Sequence, residues 1–490
     1  MQDLRAQRQE KIGQLRDLGI DPYPARTERT HAAQTVRELI DGAGSEEATA
    51  ALAPVAVAGR IVARRDMGRA TFLDLRDGSG RIQALLRRNV LGPDSYDALR
   101  LIDLGDFISV HGQPMLTRTG EPTVAADRWT MLTKALRAPP EKFHGLADVE
   151  TRQRRRYLDL LANEDSRERF RIRSRIVAAI RNFMDGRGFL EVETPVLQES
   201  AGGAAARPFV THHNELDEDR FLRISLELHL KKLVVGGFDR VYEMGRIFRN
   251  EGFGFKYNPE FTMLESYEAY ADYNDVAEMV ETLVSSVAQQ VLGTTTVEFR
   301  GHEIDLRAPW RRLSFVEGLR EFGDLDLGRL DSPETLLREL DARGVEVPPD
   351  AGYGKLCDEA MSHYVEPNLV QPTFLIDYPV ELSPLAKRKP DNPRFVERFE
   401  PFIGGMEVGN AYSELNDPVD QRQRLEEQLA LVKQGDDEAE IVDEDFLFAL
   451  EHGMPPAGGL GLGIDRLVMI LTGQQSLRDV ILFPQMRRLD

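Results

Sequence analysis

Apolar residues recur at Phe170, Ile172, Ile176, Ile180 and Phe183, the spacing of one helical face, and predict a long helix over 166–186. Gly186-Arg187-Gly188 ends it. The next run, Phe189-Leu190-Glu191-Val192-Glu193-Thr194-Pro195, predicts a strand. The texture upstream has period two. Val55, Val57, Gly59 and Ile61 alternate, and Phe72, Leu73 and Leu75 precede the turn Asp77-Gly78-Ser79-Gly80. Ile82, Ala84 and Leu86 follow, and further short strands are predicted over 107–111 and 123–132. This pattern predicts a small five-stranded β-barrel of the oligonucleotide-binding type. Residues 1–20 read as an amphipathic helix ended by Gly19, Pro22 and Pro24, and 42–53 as a small-residue acidic linker. Pro139-Pro140 marks a boundary. The chain thus divides into a helical extension (1–50), the barrel (51–140) and a third part (141–490). The third part alternates β-rich stretches (240–250, 261–270, 373–378, 399–414, 458–463) with helical ones, including 271–292 and 420–433. That order predicts an α+β domain on an antiparallel sheet.

Composition narrows the class. With 41% hydrophobic residues the chain of 490 can build more than one core. No apolar run reaches membrane-spanning length, and the N-terminus lacks the apolar stretch of a leader peptide. Cys357 is the single cysteine, which excludes an intrachain disulfide and a cysteine-based zinc site. A cytoplasmic location with no membrane partner is expected. The net charge of −20 argues against a nucleic-acid partner until its distribution is read. Residues 1–150 hold 21 basic and 21 acidic side chains, so the whole excess lies in 151–490. Within the barrel, 54–90 carries eight arginines and three aspartates, a basic segment that could track phosphates or simply be a solvated face.

Three stretches carry candidate chemistry. The first is Phe248-Arg249-Asn250-Glu251-Gly252, then a loop, then Asn258-Pro259-Glu260-Phe261-Thr262. Alternation puts Phe261, Glu265 and Tyr267 on one strand face. The second is Glu407-Val408-Gly409-Asn410-Ala411-Tyr412-Ser413-Glu414, with Asn410, Tyr412 and Glu414 on one face. A single such face usually meets solvent; two in one chain suggest a binding floor. The third is Gly458-Gly459-Leu460-Gly461-Leu462-Gly463-Ile464-Asp465-Arg466. Its glycines leave room for a ligand on the backbone, and Asp465 is expected to cap the following helix. Arg466 in the first turn opposes the helix dipole unless an anion binds there.

In this order and spacing the stretches resemble the three signature motifs of class II aminoacyl-tRNA synthetases. The long helix and strand ending at Pro195 resemble the first motif, which in that family forms the dimer interface. The barrel resembles the anticodon-binding domain of the aspartyl, asparaginyl and lysyl subgroup. Gly202-Gly203-Ala204-Ala205-Ala206-Arg207-Pro208-Phe209, Glu227-Leu228-His229-Leu230-Lys231 and the run from Asn410 to Asn416 resemble the bacterial lysyl enzymes. An aspartyl enzyme needs a cation for its substrate's side chain. Glu414 and Tyr267 suit an ammonium instead.

The resemblance implies ATP, L-lysine and tRNA(Lys) as substrates, Mg²⁺ as cofactor and a homodimer. Arg249 would bridge the lysine carboxylate and the α-phosphate, with Asn410 sharing the carboxylate. Glu227, Glu265 and the Gly203 backbone would hold the α-amino group. Glu414 and Tyr267, on the surface shared with Tyr412, would hold the ε-ammonium. Glu251, Asn258 and Phe261 would bind the nucleotide, with Tyr257 standing where many relatives have histidine. Arg466 would hold the γ-phosphate, and Glu400 and Glu407 the metal. Phe72, Gln83 and Glu121 would meet the anticodon. Local readings compete: Glu227 as a solvated helix residue, Phe72 as barrel core, and Glu400 and Glu407 as surface acids beside a tight turn. Within enzymes the rival is an aspartyl or asparaginyl synthetase, separated by the ammonium-type pocket; beyond it stand a non-catalytic regulator and a paralogue that lysylates protein. The intact Arg249, Glu251, Glu407 and Arg466 argue against the regulator, and the barrel argues against the paralogue.

Overall fold

The computed structural model describes residues 2–140, 146–200, 202–204, 206–252, 254–348, 351–432 and 442–488. Ala205, Lys433 and the predicted boundary residue Glu141 lie outside them. The chain separates into two compact units, Met1–Ala147 and Asp148–Asp490.

In the first unit, strands β1 (Val55–Met67), β2 (Ala70–Arg76), β3 (Arg81–Arg87), β4 (Phe107–Leu116) and β5 (Pro122–Thr133) close into a barrel in the order β1-β2-β3-β5-β4. β1 is long enough to serve two neighbours. It pairs with β4 through Val55 to Arg60, then with β2 from Arg60 onward, across an irregularity at Ile61/Ala63. Ile61, Leu73, Leu75, Ile82, Ala84 and Leu86 fill the interior, as their alternation predicts. Leu15, from the helix Gln2–Asp17, and Val36 and Ile40, from the helix Ala33–Ala43, join the same core. The first fifty residues therefore complete the barrel. The 42–53 stretch is not a plain linker. Ser45 accepts the Ala48 N–H at 3.1 Å and starts a short helix, Glu46–Ala50, whose two leading glutamates suit a helix N-terminus.

The second unit is built on an eight-stranded sheet. Its order is Arg311–Ser314, Thr373–Pro379, Phe395–Phe402, Gly409–Ser413, Ala457–Gly463, Glu260–Ala269, Arg240–Phe248 and Leu190–Glu191. The interior pairs are antiparallel, and the outermost pair at each edge is parallel. Alternation along the central strands sorts their faces. Leu264, Phe399, Ala411, Leu460 and Leu462 enter a core shared with Ile176, Ile180 and Met184 of the helix Glu164–Gly186 and Val280, Leu283 and Val284 of the helix Tyr273–Leu292. The intervening residues face the opposite way and line the site. Helices between 315 and 364 form a separate apolar cluster at the Arg311–Ser314 edge.

One expectation needs correcting; another, a tight turn between Glu400 and Glu407, is met. The strand predicted over 189–195 is only Leu190–Glu191. Thr194 turns its N–H and hydroxyl to the Glu243 carboxylate (2.9 and 2.7 Å), and Pro195 has no N–H to continue a ladder. The 399–414 stretch is two strands. Gly404 and Gly405, both at positive φ, reverse the chain between them, with Ile403 and Met406 hydrogen-bonded across the turn.

Candidate functional site

The inward face of the sheet forms the floor of a cavity of about 720 Å³. All fifteen residues expected to bind lysine, ATP or metal line it: Gly203, Glu227, Arg249, Glu251, Tyr257, Asn258, Phe261, Glu265, Tyr267, Glu400, Glu407, Asn410, Tyr412, Glu414 and Arg466. The glycine strand explains how they come together. Gly461 pairs with Glu265 on one side and Asn410 on the other; Gly459 pairs with Tyr267 and Tyr412. A bare strand thus separates two functional ones. A side chain at Gly459 would collide with the Glu414 carboxylate and lie 2.7 Å from the Tyr267 ring. The space these glycines leave holds protein groups as well as room for a ligand.

One end of the cavity is acidic and buried. Glu265 accepts from Ser225 Oγ and the Leu226 N–H, both at 2.9 Å, and from the Tyr267 hydroxyl at 3.2 Å. Burial, then the nearby Glu227 charge, pushes the Glu265 carboxyl up to about 7. Glu227 is not a solvated helix residue: only 6% exposed, it accepts from the Tyr412 hydroxyl at 2.6 Å and from Lys231 Nζ at 2.5 Å. Lys231 also forms an ion pair with Glu414, and its ammonium lies 5.5–6.0 Å from the ring centroids of Tyr412, Phe446 and Tyr267. Burial raises the Glu414 carboxyl well above the usual carboxylate range, partly offset by Lys231.

The middle holds Arg249. Its guanidinium is half-buried, lies 5.3 Å from the Phe261 ring centroid and makes one long hydrogen bond, 3.4 Å, to the Ile224 carbonyl. It forms no ion pair among the described residues, so the interstrand salt bridge that would make it structural is absent. Burial lowers its pKa, and only the charges of Glu251, Glu407 and Glu265 oppose that shift. A half-buried cation that lines the cavity with no ion pair among the described residues is poised for an anionic ligand.

At the other end, Arg466 donates to the Glu407 carbonyl at 2.9 Å and carboxylate at 2.6 Å and lies 5.9 Å from the Tyr257 ring. It occupies the first turn of the helix Ile464–Leu471, as expected. Asp465 does not cap that helix. Gly463 is the N-cap, with no side-chain hydrogen bond, and Asp465 lies one turn-step inside. From there its carboxylate points sideways, accepting the Thr262 N–H at 2.7 Å and pairing with Arg173 at 2.5 Å.

Glu400 accepts from Tyr378 at 2.8 Å and from Arg398 at 2.6 Å. Burial, with Glu407 nearby and Arg398 opposing, brings the Glu400 carboxyl up to about 7. Two hard-oxygen acids that repel one another fit a divalent cation whose remaining ligands are phosphate oxygens and water. No group of three or more His, Cys, Asp or Glu among the described residues could hold a metal ion by itself.

The sequence did not point to Lys231, Arg398 or Ser225. Lys231 follows Glu227 by four residues, which reads as an exposed helix pair. Arg398 carries no motif, yet it donates to Asn410 Oδ1 at 2.9 Å as well as to Glu400, joining two subsites.

On the barrel, Phe72 is half-exposed beside buried Leu73 and Leu75, with Arg65 Cζ 6.0 Å from its ring, so it is not core. Phe72 and Gln83 share the outer face of the β2–β3 ladder. Gln83 is buried and accepts from Thr123 at 3.0 Å, and Glu121 is held by Arg37 at 3.4 Å.

The family model for class II tRNA synthetases (D, K and N) matches residues 148–487, and that for an OB-fold nucleic acid binding domain matches 55–132. The chain is 53% identical to a lysine–tRNA ligase of Pelotomaculum thermopropionicum over 99% of its length and 95% of the relative's. It is 52% identical to one of Moorella thermoacetica, over 99% and 98%. It is 49% identical to one of Bacillus subtilis, over 98% and 96%.

Proposed function

The chain belongs to the lysine–tRNA ligases among the class II tRNA synthetases, and from that premise we propose how its residues divide the work. It activates L-lysine with ATP and charges tRNA(Lys). A lysine carboxylate oxygen attacks the α-phosphorus, the bond to pyrophosphate breaks, and lysyl-adenylate forms. The 3′-terminal hydroxyl of the tRNA then attacks the activated carbonyl and releases AMP. The first step requires no protein nucleophile or base, only positioning and charge compensation.

Arg249 bridges the lysine carboxylate and the α-phosphate, with Asn410 on the carboxylate. Glu227, Glu265 and the Gly203 backbone take the α-amino group. Glu414, Tyr267 and Tyr412 form the ε-ammonium end. Phe261 stacks on adenine, Glu251, Asn258 and Tyr257 contact the nucleotide, and Arg466 takes the γ-phosphate. Glu400 and Glu407 would hold Mg²⁺, which would neutralise charge on the phosphates. Phe72, Gln83 and Glu121 meet anticodon bases, by stacking in the first case. Exposed Leu190, Val196 and Leu197 around the first motif support a homodimer through that surface. A tRNA substrate supports a cytoplasmic location; among the described residues no helix is long and apolar enough to cross a membrane.

The observation that carries the substrate assignment is the buried trio Glu227, Glu265 and Glu414 at one end of the cavity. Such a pocket suits a diamine and repels the side chain of aspartate. Amino-acid-dependent ATP–pyrophosphate exchange with all twenty amino acids tests it. Fast exchange with lysine alone is expected, and comparable exchange with aspartate or asparagine overturns it.

A further inference from the structure

The buried ammonium of Lys231 stands between two carboxylates assigned to opposite ends of the substrate, Glu227 at the α-amino end and Glu414 at the ε-end. It is fully enclosed, with 0% of its side chain exposed. Burial disfavours its charge, but Glu227 and Glu414 outweigh burial and raise its pKa above the ordinary lysine value. It is therefore a fixed cation inside a site built to receive cations.

The count of charges gives this arrangement a purpose. The three acids Glu227, Glu265 and Glu414 would together carry three negative charges in a space nearly closed to water. L-lysine brings two ammonium groups there, its carboxylate being directed to Arg249. Three carboxylates against two ammonium groups leave one charge unbalanced, and an unpaired buried charge is costly. With Lys231 the pocket is doubly negative, equal and opposite to the two ammonium groups.

We propose that Lys231 is a positioning residue that sets the charge and spacing of the lysine pocket, standing between Glu227 and Glu414, offsetting their mutual repulsion and holding them a fixed distance apart to receive the two ammonium groups of the substrate. The inference rests on the lysine-activating reading above. The groups facing Lys231 are Glu227 on its own helix, Tyr267 from the Glu260–Ala269 strand, and Tyr412 and Glu414 from the run beyond the glycines, with Glu265 one hydrogen bond further away, on the Tyr267 hydroxyl. On the helix Glu444–Glu451 it meets the Phe446 ring, and Asp445 there pairs with Lys232 instead.

Lys231→Met keeps an unbranched side chain and removes the charge. The acids should then hold their protons to higher pH than in the unmodified enzyme. Lysine KM in pyrophosphate exchange should rise about 10- to 100-fold at pH 7. It should fall back as pH rises and the protons leave, with the whole profile displaced to higher pH than that of the unmodified enzyme, while ATP KM stays within about twofold. A packing role would raise KM equally at every pH. An undisplaced profile therefore overturns the proposal. If Lys231→Met does not fold, Lys231→Met/Glu414→Gln takes its place, because it removes one charge of each sign. Its lysine KM should be high with an undisplaced profile, and displacement in that protein overturns the proposal as well. Should the unmodified enzyme show no lysine-dependent exchange, the functional reading fails first, and that outcome is visible before any variant is made.

Discussion

The Tyr412 hydroxyl donates to Glu227 Oε2 at 2.6 Å, across 185 residues of sequence. Through that bond a strand residue and a helix residue share one carboxylate, so the α-amino and ε-ammonium ends of the proposed pocket are mechanically joined. Tyr412→Phe should release one Glu227 oxygen and raise lysine KM by about 5- to 20-fold with ATP KM unchanged, a loss typical of one hydrogen bond to a charged group. An effect confined to ATP would place Tyr412 outside the lysine pocket.

Arg249→Ala removes the half-buried guanidinium that has no ion-pair partner among the described residues. Pyrophosphate exchange should fall by about 10²–10³-fold or more, the scale of losing a preorganised charge at the reacting centre. The protein should sediment as the unmodified enzyme does. Retained exchange, or a changed sedimentation coefficient, would make Arg249 structural.

Lysine binding should depend on pH through Glu265. Its carboxyl is pushed up to about 7 in the ligand-free chain. A protonated acid attracts an ammonium less than a carboxylate does. Lysine affinity should therefore weaken as pH falls through 7 and level off above it. Glu265→Gln should match the weak binding of the protonated enzyme at every pH, falling below the unmodified enzyme only above pH 7, and lose that inflection. Titration calorimetry from pH 6 to 9 measures both, and an unchanged inflection in the variant would assign it to another group.

Asp465→Asn should destabilise the fold. The buried carboxylate pairs with Arg173 and accepts from Thr262, tying three elements together. Breaking one partner of a buried ion pair costs about 3–5 kcal/mol, which thermal unfolding should register as a clear drop in Tm. A capping role would cost only about 1 kcal/mol.

A chain beginning at Asp148 should retain lysine-dependent exchange, because every proposed small-substrate residue follows that point. It should lose most tRNA charging. Phe72→Ala in the full chain should weaken charging about 5- to 100-fold through lost stacking on one base, with exchange unchanged. Equal charging by the shortened protein would remove the barrel from anticodon reading.

Much of this molecule was legible in its sequence. Period-two alternation marked the first and third barrel strands at Val55–Ile61 and Ile82–Leu86, where the apolar side chains at alternate positions enter the core. The residues lining the cavity were legible for the same reason: alternation on two strands placed Glu265 with Tyr267 and Asn410 with Glu414, and motif resemblance supplied the rest. The failures have local causes. The stretch 189–195 has strand composition, but side-chain bonds from Thr194 to Glu243 take the chain out of the sheet. Asp465 looked like a cap because capping residues and first-turn acids differ by a position or two, and only the Thr262 N–H reveals which it is. Lys231 and Arg398 were missed because each acts through a partner brought close only by tertiary folding. A lysine four residues after a glutamate looks the same in sequence whether it faces water or a pocket.

Gly459 has one hydrogen where every other amino acid has a carbon, and that position is already taken by Glu414 and the Tyr267 ring. A methyl group there would act as a wedge permanently seated against the acid that awaits the substrate. Alanine at 459 would thus turn the enzyme into its own obstruction without touching any charged residue. In the proposed pocket, room for a long, doubly cationic molecule depends, at this point, on the smallest side chain available.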